Sequence, residues 1–167
     1  MSRRPALLLA LALTLPVLAG ACGRGTNEDD KVVITQLGSD VLPGEILGLT
    51  VDIEDVEERI AGVDRSYVES TGLYSLRDGK ELKATLQLSR FTEDAEIDRK
   101  LRLAIVDQIG STKPRAFRMG DQTVYLTTSK RQAVAVFFRP RSFVVLSTLD
   151  TYDKGRTLLR EVLELDI

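Results

Sequence analysis

Four short segments separated by turn-forming residues constrain the fold of this chain more than any other feature. The segments cover approximately 115–119, 122–128, 132–138 and 142–149, with Gly120-Asp121, Ser129–Arg131 and Arg139–Arg141 between them. Strand-length segments joined by connections this short predict an antiparallel meander. Ala133–Phe138 is apolar at every position, which predicts a central strand covered on both faces.

A hairpin is predicted before the meander. The segments 66–75 and 82–91 flank a polar stretch in which Asp78-Gly79 is a strong two-residue turn signal. The second segment alternates in polarity, with Ala84, Leu86 and Leu88 on one face and Thr85, Gln87 and Ser89 on the other. This alternation predicts a half-buried strand.

Three segments have apolar residues at helical spacing. One runs from about Glu93 to Ile109 and is stopped by Gly110, and another covers Asp153–Leu165. A shorter one starts at Asp52, an N-cap candidate, and is closed by Gly62. Its apolar face consists of Ile53, Val56 and Ile60. We expect a helix in each segment.

The segments before the first predicted helix are less regular. Val32–Leu37 predicts a short strand, whereas Val41–Val51 contains Pro43, Gly44 and Gly48 and predicts an extended, packed loop. The resulting order is αββαββββα. The sequence therefore predicts an α+β domain with a mostly antiparallel sheet of about six strands and two or three helices packed against it.

The first 21 residues have the layout of a secretory signal. Arg3 and Arg4 form a positive n-region, and Ala6–Leu18 forms the apolar core. Pro16 interrupts this core, and its far end passes into the small residues Ala19-Gly20-Ala21. Because signal peptidases need small residues at the cleavage site, this end favours a cleaved signal over a permanent membrane helix.

Cys22, the single cysteine of the chain, follows those small residues directly. Leu18-Ala19-Gly20-Ala21-Cys22 resembles the lipobox of bacterial lipoproteins, with Ala19 where leucine is most usual. The resemblance implies that the thiol of Cys22 is diacylglycerylated and that the signal is cut before it. The alternatives are ordinary cleavage after Ala21, which leaves a free thiol, and an uncleaved signal anchor.

These observations predict three regions in the chain. Residues 1–21 form the signal peptide, and 22–31 form the acylated Cys22 with a polar tether that has no apolar side chain beyond the cysteine. Residues 32–167 form a single α+β domain. We expect the protein to be exported and held by lipid at the outer face of the cytoplasmic membrane.

Charge is distributed unevenly along the chain. Residues 22–66 carry four Lys or Arg against eleven Asp or Glu, whereas 67–167 carry 17 against 14. Seven basic residues and one acid, Asp121, fall within 113–141. We interpret them as solvated turn charges divided between opposite ends of a meander; a surface for anionic headgroups is the alternative. The net charge of −2 and few aromatic residues argue against nucleic-acid binding.

The composition narrows the possible chemistry. The chain has no histidine, which excludes Ser-His-Asp and Cys-His catalysis, and one cysteine, which excludes CxxC pairs and intramolecular disulfides. Acidic clusters at 28–30, 54–58 and 93–98 fit a tether and exposed helical turns better than a carboxylate-dependent hydrolase. We find no cofactor or metal motif and expect no catalytic residue.

Two apolar features are candidates for binding. The aromatic residues are expected mainly in the core, with a pocket between sheet and helix as the alternative; they are Tyr67, Tyr74, Tyr125, Phe137, Phe138 and Phe143. The segment Val41–Leu49 either docks a partner or packs over an open edge of the domain's own sheet. We favour packing.

The layout of lipobox, acidic tether and small domain resembles surface lipoproteins of high-GC Gram-positive (actinobacterial) bacteria. The stretches Leu42–Leu49, Gly120–Tyr125 and Phe137–Phe143 have that character, and the element order is similar to the Mog1/PsbP-like group. The expectation is a non-catalytic, lipid-anchored module that binds an envelope protein or supports an envelope assembly. A small-molecule or lipid-binding lipoprotein is the alternative.

Overall fold

The structure, a computed structural model, describes residues 34–55 and 67–167. The chain divides into two units, Met1–Lys31 and Val32–Ile167. All described residues belong to the second unit. The signal, the tether and most of the acidic segment 54–58 lie outside the described residues.

The described residues form nine strands and two α-helices. The strands are β1 (Thr35–Gln36), β2 (Glu45–Ile46), β3 (Leu49–Glu54), β4 (Val68–Asp78), β5 (Glu81–Phe91), β6 (Arg115–Met119), β7 (Gln122–Ser129), β8 (Gln132–Phe138) and β9 (Ser142–Leu149). The helices are α1 (Arg99–Ile109) and α2 (Gly155–Glu164). A short 3-10 turn covers Ser39–Val41.

All nine strands belong to one sheet with the order β2-β3-β4-β5-β9-β8-β7-β6. Every neighbouring pair along this order is antiparallel, and β1 adds in parallel to β4. The predicted α+β class with a mostly antiparallel sheet is therefore confirmed. The predicted number of about six strands is wrong, because β2 and β3 replace a predicted loop and helix start, and β1, within the predicted short strand Val32–Leu37, also joins the sheet.

The meander and the hairpin before it match their sequence signals closely. β6, β8 and β9 have the predicted bounds, and β7 extends one residue further, to Ser129. The β4–β5 turn differs by one position, since Asp78 pairs with Glu81 and the two turn residues are Gly79 and Lys80. Gly79 has a φ of 58°, a conformation that glycine adopts without a steric cost.

The segment from Val41 to Asp55 differs from the prediction. It contains β2 and β3 instead of an extended loop, and Asp52 pairs with Ser75 of β4 instead of capping a helix. The apolar positions are compatible with both helical and strand spacing. Pairing with the long strand β4 stabilises the strand conformation of this segment. The remainder of the predicted short helix, through Gly62, lies outside the described residues.

Helix α1 begins later than its sequence pattern suggests. Residues 93–98 are not helical, and the carboxylate of Asp98 accepts a 2.7 Å hydrogen bond from the backbone N–H of Leu101. An N-cap at Asp98 places the first helical residue at Arg99. The predicted start at Glu93 is therefore wrong by about one and a half turns, whereas the predicted end at Ile109 is confirmed.

Each helix covers a different face of the sheet. Side chains alternate along every strand, so one face carries Leu86, Leu88 and Leu146, and the other carries Phe91, Phe143 and Val145. Helix α2 packs on the first face and α1 on the second. We call these the α2 face and the α1 face.

Strand β5 is more buried than its alternation predicts. Gln87 and Ser89, on the α1 face, are almost inaccessible, so the expectation of a half-buried strand is wrong. The Oγ atoms of Thr71 and Ser89 lie 2.7 Å apart, and Gln87 Nε2 donates to Ser89 Oγ at 3.1 Å. These bonds satisfy polar groups that would otherwise be costly to bury.

Candidate functional site

An open apolar groove of about 550 Å³ lies on the α2 face, between α2 and the β6 end of the sheet. Leu126, Ala133, Ala135 and Leu146 form its floor, and Leu159 of α2 forms one side. Phe117 and Met119 of β6 form the other side. The groove is within the size range of small-ligand sites and is mostly apolar, so it is the principal candidate binding site.

The groove exists because the strand at its centre carries small side chains. Along β8, Ala133 and Ala135 point to the α2 face, whereas the larger Val134 and Val136 point to the α1 face. Ala135 pairs with Leu126 on one side and Leu146 on the other. The two alanines thus leave a hollow between rows of larger residues.

Polar residues close one end of the groove. The segment between β9 and α2 contributes Asp150, Tyr152 and Asp153, and the first turn of α2 contributes Arg156. The backbone N–H of Tyr152 donates to the carbonyl of Leu149 at 2.9 Å. Burial, and then the charge of Asp153, raises the pKa of the Tyr152 hydroxyl, so Tyr152 is a neutral hydrogen-bonding group at this end near neutral pH.

The helical wall of the groove is fixed by an arginine from the β8–β9 turn. The guanidinium of Arg139 donates to the carbonyls of Leu163, Leu165 and Ile167, and it lies 6.0 Å from the Phe137 ring centroid. The last carbonyls of a helix have no partner within the helix, so Arg139 satisfies groups at the end of α2 that would otherwise lack one. Burial lowers the pKa of Arg139, and the charge of Asp166 partly offsets this.

Strand β6 borders the groove at the edge of the sheet. Among the described residues it pairs with β7 only. Phe117 and Met119 are half-buried, whereas Arg115 and Arg118 are exposed and form no ion pair with any described residue. Arg118 makes one long contact, 3.5 Å, from its guanidinium to the carbonyl of Asp121. The border of the groove is thus a cationic strand.

A second depression, of about 560 Å³, lies beside α1. Val68, Phe91 and Ile105 are among its apolar lining residues, and Asp94 and Glu96 are among its acidic ones. Asp98 also lines it, although its carboxylate already caps α1. Within 34–55 and 67–167, no group of three or more Asp, Glu, His or Cys residues is arranged to hold a metal ion.

The aromatic residues do not line one pocket. Tyr74 and Phe137 are buried in the core under α2, whereas Phe138 and Phe143 are buried in the core under α1, where Tyr125 packs beside them. Phe143 lies between Phe91 and Phe138, with ring centroids 5.5 and 6.1 Å away. Tyr67 is partly exposed beside the second depression.

The segment Val41–Leu49 packs against its own domain and forms the sheet edge through β2 and the start of β3. Leu42, Ile46 and Leu49 are buried in the core under α2, and only Leu47 is substantially exposed among the large apolar residues of this segment. This agrees with the packing that the sequence favours. The segment therefore offers no apolar docking surface.

The basic residues of 113–141 lie at two ends of the sheet. Because β8 is antiparallel to both β7 and β9, the Lys130-Arg131 turn and the Arg139–Arg141 turn are at opposite ends. Arg115, at the start of β6, is at the Lys130-Arg131 end, and Arg118 is towards the other. The charges are divided, as the meander predicts.

Sequence reasoning identified Cys22 as the only site residue, and Cys22 lies outside the described residues. It did not identify the groove. A signal was present, since Ala133 and Ala135 place two small side chains in succession on one face of β8, before the larger Phe137 on the same face. The two alanines indicate a groove only once β6, β7 and α2 are known to flank this face.

No family model, curated protein or solved structure matches this chain. Within residues 34–55 and 67–167, no helix is long and apolar enough to span a membrane.

Proposed function

We propose that the chain is a lipoprotein, acylated at Cys22 and held at the outer face of the cytoplasmic membrane, whose domain is a non-catalytic binding module. The groove between α2 and β6 carries the binding part of this proposal. It combines an apolar floor, with two alanines at its centre, and a polar end, which is the usual composition of a binding site. The partner is an envelope protein or assembly.

The openness of the groove towards β6 favours a protein partner. Leu126, on the groove floor, remains 39% exposed, and the bordering strand has a free backbone edge among the described residues. A surface that is both apolar and open along a strand suits a polypeptide better than an enclosed small molecule.

The anchor is tested by replacing Cys22→Ser. The unaltered chain should incorporate a labelled fatty acid in bacterial cells and partition into detergent, whereas the variant should incorporate no label. A wild-type chain that takes up no label and stays in the aqueous phase would disprove the anchor.

The groove is tested by crosslinking in intact cells with Ala133→Ile, which adds a branched side chain to the groove floor. Thr123→Ile on β7 is the matched control, because it adds a similar side chain to the opposite face. The proposal expects a crosslinked partner that Ala133→Ile loses and Thr123→Ile keeps. Loss in both variants, or in neither, contradicts a role for the groove.

A small-molecule or lipid ligand is the second candidate, because a volume of about 550 Å³ suits such a ligand. Native mass spectrometry of protein purified from cells distinguishes it. A bound mass that is present in the wild type and absent from Ala133→Ile, with no crosslinked protein, would favour this candidate over a protein partner.

A further inference from the structure

The backbone of β6 is arranged to accept another strand. Met119 and Gln122 flank the two-residue turn Gly120-Asp121, so they form a hydrogen-bonded pair. Bonded pairs recur at every second residue of an antiparallel ladder, so Arg115 and Phe117 also bond to β7. Ala116 and Arg118 therefore direct their N–H and C=O groups to the free edge.

The side chains of β6 give that edge a definite pattern. Arg115, Phe117 and Met119 lie on the α2 face, where the two apolar side chains border the groove. Arg118 lies on the opposite face. A strand added here would place alternate side chains beside these residues, at cross-strand distances of about 4.5–5.5 Å between Cβ atoms.

We propose that an extended segment of the partner protein adds to β6 as a further antiparallel strand. From its own N-terminus, its five central side chains are apolar, acidic, apolar, unrestricted and acidic. The apolar ones lie beside Met119 and Phe117, and the acidic ones lie beside Arg118 and Arg115. This inference rests on the binding function proposed above and specifies the partner.

Charge complementarity selects this occupant. Arg115 and Arg118 are the charged residues of β6, and both are exposed without an ion pair among the described residues. Opposite charges across a strand pair are stabilising, and like charges are destabilising. A second copy of the chain paired through β6 would bring four arginines together, so self-association through this edge is disfavoured.

The probe is a fluorescein-labelled peptide of nine residues whose central five are Leu-Asp-Val-Thr-Glu, flanked by threonines. A second peptide replaces the Asp and Glu with lysine. Binding is measured by fluorescence anisotropy with the full chain in detergent micelles. The acidic peptide should bind about tenfold more tightly than the lysine peptide, and the difference should shrink at high salt.

Charge reversal tests the pairing with Arg118. Arg118→Glu should weaken the acidic peptide about threefold and strengthen the lysine peptide. Arg99→Glu is the control, because Arg99 is exposed at the start of α1 and away from β6. Unchanged affinities in Arg118→Glu, or equal changes in both variants, would overturn the proposal.

Backbone pairing is tested separately by amide hydrogen exchange. The acidic peptide should slow exchange at Ala116 and Arg118, whose N–H groups face the free edge, with little change at Phe117. Ala116→Pro removes one of these donors and should abolish binding without unfolding the domain, since an edge strand tolerates proline at an outward position. Protection confined to other strands or to α1 would refute strand addition.

Failure of strand addition is distinguishable from failure of the binding function itself. If neither peptide binds but Ala133→Ile still removes the crosslinked partner in cells, strand addition at β6 is wrong and the groove function stands. If crosslinking also shows no dependence on the groove, both proposals are wrong.

Discussion

The two terminal strands of the sheet, β2 and β6, each have one strand neighbour among the described residues, but β2 is two residues long and β6 is five residues long. The β2 edge ends in a two-residue strand, and its apolar residues Leu42, Ile46 and Leu49 are buried against the core. Backbone bonds reinforce it, from Leu37 to Thr71 at 2.8 Å and from Val51 to Gly44 at 3.0 Å.

The β6 edge instead carries exposed charged side chains. Its apolar side chains Phe117 and Met119 are only half-buried, and two arginines stand beside them. Charged residues on an edge strand discourage nonspecific pairing, while the backbone remains available to a partner of opposite charge. The two edges therefore differ in burial: apolar side chains beside β2 are buried in the core, whereas those of β6 are only half-buried.

The largest expected difference between the edges is in stability. Leu49→Ala should lower the free energy of unfolding by about 3 kcal/mol, because Leu49 is 4% exposed and its loss leaves a cavity. Leu126→Ala beside the β6 edge should cost less than about 1 kcal/mol, since Leu126 is 39% exposed. Urea unfolding measures both, and equal losses would refute the distinction.

Helix α2 connects the two regions, since it contacts β2 and forms one wall of the groove. Arg139→Met should lower the free energy of unfolding by about 1.5 kcal/mol, because the carbonyls at the end of α2 lose their charged donor. Arg141→Met, at an exposed position of the same turn, is the control. Thermal unfolding compares them, and similar melting temperatures would contradict the capping role.

Tyr74 ties the β2 edge to β4, because its hydroxyl donates to the Gly38 carbonyl at 2.9 Å. Tyr74→Phe should cost about 1 kcal/mol at neutral pH. Burial raises the pKa of Tyr74, with Arg90 lowering it and Asp40 raising it. This stabilisation is fully present below pH ~10, the tyrosine pKa in the unfolded chain, and is lost as pH rises through the folded-state value.

The wild type should therefore lose stability above pH ~10 more steeply than Tyr74→Phe. The pKa of Tyr152 is also raised, but Tyr152 is present in both proteins, so their difference reports Tyr74. Chemical unfolding at a series of alkaline pH values measures it. If the free energies of unfolding of the two proteins fell in parallel as pH rises, Tyr74 would not be the source of the steeper pH dependence.

The smallest expected effect is at the β7–β8 turn, on the β6 side of the sheet. Lys130 and Arg131 both have positive φ, at 45° and 68°, where side chains are disfavoured. Arg131→Gly should raise the free energy of unfolding by roughly 0.5–1 kcal/mol. Lys80→Gly, in a turn residue without positive φ, should not stabilise the protein; stabilisation by both would contradict the backbone explanation.

The meander was predictable because its information is local. Side-chain alternation, two-residue turns and the apolar run Ala133–Phe138 are properties of neighbouring residues, and β6, β8 and β9 match them. The N-cap of α1 was less predictable, since the acidic residues 93–98 offer several capping positions and the helix uses the last of them, Asp98.

The groove was not predictable in the same way. Ala133 and Ala135 indicate two small side chains on one face of β8. The residues that border the groove, Phe117 and Leu159, come from parts of the chain 42 residues apart. The free edge of β6 likewise depends on which strands are neighbours. Neither property is encoded in the spacing of adjacent residues.

The order of amino acids was sufficient to predict the meander and the approximate positions of both α-helices, and it predicts that Cys22 carries a lipid. Three features depend instead on the assembled fold: Leu49–Glu54 pairs as a strand with β4, Thr71 and Ser89 bury their hydroxyls against each other, and β6 ends the sheet. The two groups differ in the range of the interactions that produce them. Turns and alternation act over a few residues, whereas strand order, burial and the shape of a groove depend on contacts between residues distant in sequence.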